Sequence, residues 1–107
     1  MGETFEIREY TEAGRSPFAE WFDDLDAVTA ARVDRYVRRL EAGNFGAAKP
    51  LRDGVFELRL DFGPGYRVYY GREGRTVVIL LGGGSKRRQD AEIATAVERW
   101  KRYKQTK

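Results

Sequence analysis

A chain of 107 residues with 41% hydrophobic and 35% charged residues is long enough for one domain with a real core and a densely ionic surface. It has no cysteine and no histidine, which excludes disulfides, thiol nucleophiles and a Ser-His-Asp triad, and leaves a zinc hydrolase without its usual ligands. Any catalysis must use Lys, Arg, Tyr, Asp or Glu. The net charge of +3 is too small to name a polyanionic partner by itself, so the placement of the cations has to decide.

In chain order, TFEIREY alternates, with Phe5 and Ile7 on one face and Glu6 and Arg8 on the other, which predicts a strand. Ser16 followed by Pro17 is a helix start, a capping hydroxyl and then a residue with its φ preset, opening a short helix over PFAEWFDDL. Asp26 can cap a second helix, AVTAARVDRYVRRLEAG, which Gly43 ends. Val33, Tyr36, Val37 and Leu40 form its apolar stripe. Arg32, Arg35 and Arg39 share another face, either an ordinary solvated surface or a phosphate-contacting one, and Arg38 can pair with Asp34 one turn back. NFGAAKPLRDG is the longest connection.

VFELRLDF then sends Phe56, Leu58, Leu60 and Phe62 one way and Glu57, Arg59 and Asp61 the other. After GPG, YRVYY places Tyr66, Val68 and Tyr70 on one face and Arg67 and Tyr69 on the other. TVVILL, apolar throughout, reads as a central strand covered on both sides. Two short turns make these three strands an antiparallel meander. RQDAEIATAVERWKRYK is helical, with Ile93, Ala96, Val97, Trp100 and Tyr103 as its stripe. The expected fold is one α+β domain over residues 1–107: a curved antiparallel sheet, made of the N-terminal strand and the meander, with two N-terminal helices and a C-terminal helix. The N-terminus carries no apolar signal-peptide core and no run reaches membrane-spanning length, so the expectation is a cytoplasmic protein with no membrane partner.

Two clusters could carry chemistry. Arg59 and Arg67 lie on neighbouring strands, with Glu57 and Tyr69 two residues away on the same face; an exposed sheet face bearing a cross-strand ion pair is the plain alternative. LLGGGSKRRQD, residues 80–90, lacks a nucleotide-loop pattern, so its glycines are read as letting the backbone leave the strand sharply. Lys86, Arg87 and Arg88 then stand near the start of the last helix, where an anion would relieve their opposition to the helix dipole. Antiparallel pairing should bring Lys86 and Arg87 to the hollow of Arg59 and Arg67. Four cations and a tyrosine around one hollow suggest a phosphodiester, handled without metal or other cofactor.

The stretches KPLRDGVFELRLDFGPGYRVYYGREGRTVVILLGGGSKRRQDAEIATAVERW and, upstream, SPFAEWFDDLD resemble the RelE/ParE superfamily of toxins, in particular its HigB-like, phage-derived addiction-module branch. The resemblance implies a curved antiparallel sheet with helices on one face. It also implies cleavage of mRNA, in many members on the ribosome, by attack of a 2′-hydroxyl on the adjacent phosphate. It puts Arg67 and Arg87 on the scissile phosphate, Lys86 beside them, and Arg59 where some relatives have a lysine that assists proton transfer. Departures are Ile93 in place of a helix tyrosine, Glu57 in place of a second strand lysine, and Ser85 where the branch often has Asp. Glu57 is the candidate base and Tyr69 or Lys86 the candidate acid. Lys49, Arg52, Arg88 and Gln89, with Arg32, Arg35 and Arg39, are the further RNA-binding candidates. The implied partners are mRNA on the ribosome and a cognate antitoxin of helix-turn-helix type covering the hollow. The alternatives are a ParE-like gyrase poison without nuclease activity and a non-catalytic RNA-binding module.

Overall fold

The computed structural model describes residues 4–106; Met1 to Glu3, part of the N-terminal stretch read above, lie outside them. Its elements are β1 (Glu6–Glu9), α1 (Pro17–Asp23), α2 (Ala27–Glu41), β2 (Ala48–Pro50), β3 (Val55–Arg59), β4 (Tyr66–Glu73), β5 (Val77–Ser85), a single 3-10 turn (Lys86–Arg88) and α3 (Gln89–Gln105). The strands form one curved α+β sheet in the order β1-β5-β4-β3-β2.

Local signals start the helices where expected. The Ser16 hydroxyl accepts from the Ala19 N–H, and Asp26 accepts from the Thr29 N–H. The meander β3-β4-β5 is antiparallel, with Arg59 opposite Arg67 and Glu57 opposite Tyr69. Three features differ from the sequence reading. β1 runs parallel to β5 at the sheet edge, Ile7 opposite Val78, so the sheet is mixed rather than wholly antiparallel. The long connection contributes a strand, β2, with Lys49 opposite Glu57. And helices cover both faces of the sheet, as the apolar strand at 76–81 implied, where the family resemblance implied helices on one.

On one face, Phe18 of α1 and Val33, Val37 and Leu40 of α2 pack on Leu58, Leu60, Val68, Tyr70, Val78 and Leu80. On the other, Ala96, Val97 and Trp100 of α3 pack on Val55, Tyr69, Ile79 and Leu81. Each layer seats a tryptophan on a strand glycine. A Cβ at Gly83 would overlap the Trp21 ring, and one at Gly71 would overlap that of Trp100. The glycine run of residues 82–84 therefore does not leave the strand: it lies in the second half of β5, with Gly82, Gly83 and Gly84 opposite Tyr69, Val68 and Arg67. A bulge at Leu81 precedes it, and α3 answers the disturbed ladder, Arg99 donating to the Leu81 carbonyl at 2.9 Å.

Candidate functional site

The end of the meander builds the site. The β3–β4 turn and the start of the 3-10 turn are clamped at Gly65, whose carbonyl accepts from the Lys86 N–H (3.0 Å) and from Nη1 of Arg67 (3.1 Å). One acceptor thus fixes two of the candidate cations relative to each other. Arg59, Arg67 and Lys86 line a hollow of about 360 Å³, together with Asp61, Phe62 and Tyr66. They come from three separated chain segments.

Arg59 and Lys86 are exposed; Arg67 is not. Arg67 is 6% exposed and Glu57 0%, and the two are ion-paired, Nε to Oε1 at 2.9 Å. Two like charges directly opposite each other on adjacent strands repel, and the Glu57 carboxylate offsets that repulsion for Arg59 and Arg67. Gln89, at the start of α3, donates to the same Glu57 oxygen at 3.0 Å. The other carboxylate oxygen, Oε2, is buried with no hydrogen-bond partner among the described residues. Glu57 is therefore committed to holding Arg67 and Gln89 and has no open path to a substrate hydroxyl. The carboxylate on the hollow's wall is Asp61.

Tyr69 also sits elsewhere. It is buried under α3, its hydroxyl at 3.5 Å from Glu92. The two line a second hollow of about 250 Å³, with Arg88, Thr95 and Arg99. Burial and the Glu92 charge push the Tyr69 phenol well above its ordinary value. Burial likewise raises the Glu92 carboxyl, against the lowering effect of the Tyr69 hydrogen bond and of Arg88 and Arg67. The aromatic side chains at the first hollow are instead Tyr66 and Phe62, whose rings lie 5.5 Å apart. Strand alternation assigned both to the helix-packed face, where they do pack, and beside the turn at residues 63–65 they also reach the rim. Asp61 was legible as sharing a face with Arg59, but its alternation carried no sign of the cavity.

Arg87, Arg88 and Gln89 lie beside the first hollow, around a shallow depression to which Lys86 also contributes. So four cations do not surround one space: three line it, one of them is neutralised by Glu57, and Arg87 stands next door. Lys49 is exposed on β2, and Arg52 is exposed and pairs with Asp53 at 3.6 Å; neither lines the hollow. Arg32, Arg35 and Arg39 are exposed on α2.

A five-stranded sheet with helices on both faces, and a partly basic hollow at the strand ends, define a small α+β domain. The chain belongs to the phage-derived Gp49-like family (DUF891), whose sequence pattern matches residues 20–101, from within α1 to near the end of α3. It is also 45% identical, over 74% of its own length and 81% of the relative's, to an uncharacterized protein of Haemophilus influenzae. No helix among the described residues is long and apolar enough to cross a membrane.

Proposed function

We propose that this protein is the toxin of a toxin–antitoxin module and cuts RNA at the hollow of Arg59, Arg67 and Lys86. The observation that carries the reading is that these three cations, from β3, β4 and the 3-10 turn, line one space with Asp61 and Tyr66. The phage-derived Gp49-like family supports the addiction-module setting.

The chemistry is transesterification. The ribose 2′-oxygen attacks the adjacent phosphorus and loses its proton, and the P–O5′ bond breaks, leaving a 2′,3′-cyclic phosphate and a 5′-hydroxyl. Arg67, held rigid by Glu57 and Gly65, and the exposed Arg59 stabilise the added negative charge of the phosphorane. Lys86 donates a proton to the leaving 5′-oxygen. Asp61 takes the 2′-proton, a role transferred to it from Glu57 because Glu57 is enclosed by Arg67 and Gln89. Tyr66 offers a ring for a flanking base. Arg87 and Arg88 meet the next phosphate along, and a helix-turn-helix antitoxin covers the hollow.

Because Arg67 also neutralises a buried carboxylate, truncating it would confound activity with folding. The clean variants are the exposed Arg59→Gln and Lys86→Gln. In a translation extract, the wild type yields discrete mRNA ends mapped by primer extension, and each variant lowers their yield at least about 100-fold, with unchanged circular dichroism. Intact mRNA accompanied by inhibition of DNA supercoiling would replace this reading with that of a gyrase poison. RNA binding without cleavage would reduce it to that of a binding module.

A further inference from the structure

The hollow does not end at its own wall. Phe62 lines it, and the guanidinium of Arg32, from α2, lies 5.1 Å above the Phe62 ring. The Phe62 ring is in turn 6.3 Å from that of Tyr36, and Arg39 lies 4.5 Å above Tyr36. Arginine and aromatic planes thus run without a break from the hollow onto the outer surface of α2. Arg32, Arg35 and Arg39, at spacings of three and four residues, share one face of that helix.

Charge on α2 is sorted between two faces. Its fourth arginine, Arg38, pairs with Asp34 at 3.6 Å and Glu41 at 2.9 Å. Arg32, Arg35 and Arg39 have no carboxylate partner within ion-pair distance among the described residues. An ordinary solvated helix face interleaves the two signs. This one gathers unpaired guanidinium groups and orients two of them on aromatic rings, with their remaining donors free for an anion.

We propose that this stripe is a track for a single RNA strand, continuing the path of the substrate beyond the hollow. The proposal rests on the hollow being the cleavage site, and it adds where the flanking strand goes. A polyanion suits the unpaired cations, and the guanidinium planes laid over the half-buried rings of Phe62 and Tyr36 suit stacking by unpaired bases, which a duplex keeps inside. Asp61 is the local exception, an acid at the hollow and not on the stripe.

The test is binding of a labelled single-stranded RNA 12-mer, followed by fluorescence anisotropy across a salt series. For Arg32→Gln/Arg35→Gln/Arg39→Gln the expected result is at least about tenfold weaker binding at low salt, and a slope of log K against log salt reduced by about 2. Arg38→Gln should leave the slope unchanged. Triple replacement by lysine should restore the slope, which keeps the test valid if the glutamine variant folds poorly. An unchanged slope in the glutamine triple, with wild-type RNA binding intact, overturns the track and leaves the cleavage site standing. Absence of RNA binding by the wild type overturns both. Equal loss for a 12-base-pair RNA duplex overturns the assignment to a single strand.

Discussion

The two faces of the sheet solve the same problem in opposite ways. Under α1 and α2 the layer is aliphatic and aromatic, with Val33, Leu40 and Val68 completely enclosed and Phe18 and Phe22 stacked at 5.7 Å. Under α3 the same strands bury a charged pair, Glu57 and Arg67, and a tyrosine–carboxylate contact, Tyr69 and Glu92, beside an apolar patch around Trp100. The first face holds the fold by excluding water. The second spends part of its interior on fixing an arginine at the edge of a hollow. A buried ion pair is weak evidence of stability but a firm way to hold a guanidinium in place, so the difference marks which face fixes Arg67.

The largest test of this contrast is to break the pair. Glu57→Ala leaves Arg67 buried and uncompensated and should cost about 3–5 kcal/mol in urea unfolding, as much as a large truncation on the dry face. Glu57→Met combined with Arg67→Met should recover most of that loss. If the single change proves neutral, the pair is not holding the polar face together.

Glycine contacts sharpen the comparison. A methyl at Gly83 meets the rigid Trp21 ring on the dry face, whereas one at Gly84 meets the Glu92 carboxylate, the movable end of a flexible side chain. Gly83→Ala should lower stability by about 1–3 kcal/mol and Gly84→Ala by clearly less, read from melting curves. Equal costs would mean that Glu92 is held as firmly as the tryptophan.

Adjacent tyrosines probe the two faces by pH. Burial pushes the Tyr70 phenol, on the dry face, up from 10 to about 12. The fold therefore favours the neutral phenol. Its contribution is complete below pH 10 and is lost as pH climbs from 10 towards 12. Tyr70→Phe should remove that part of alkaline destabilisation while leaving neutral-pH stability little changed. The smallest expected effect is that of Tyr69→Phe at neutral pH, below about 1 kcal/mol, because the hydroxyl's contact with Glu92 is at the 3.5 Å limit of a hydrogen bond.

Much of the architecture was legible locally. Ser16 and Asp26 have the side-chain oxygens that helix starts need, and both act as caps. Alternation over residues 55–59 and 66–70 placed Glu57, Arg59, Arg67 and Tyr69 on one face because successive strand side chains point oppositely, and the register puts Arg59 against Arg67. Of the site, the meeting of Arg59, Arg67 and Lys86 was legible from antiparallel pairing, and its other walls were not. A cross-strand pair such as that of Glu57 and Arg67 was one of the readings of the sheet face, whereas the turning of Tyr69 to Glu92 and the reach of Asp61 and Tyr66 to the hollow depend on how α3 and the turn at residues 63–65 sit on the strands.

By itself, the sequence determined the types and order of the main elements and the composition of each strand face, because capping, turn formation and side-chain alternation act over a few residues. Only the tertiary structure decided the direction of β1, which helices cover which face and the fate of the glycine run. Alternation is the same for parallel and antiparallel partners. A glycine's use depends on whose side chain fills the missing Cβ, here Trp21 and Glu92. And whether a cation is free or neutralised is set by carboxylates far away in the chain, as Glu57 shows for Arg67.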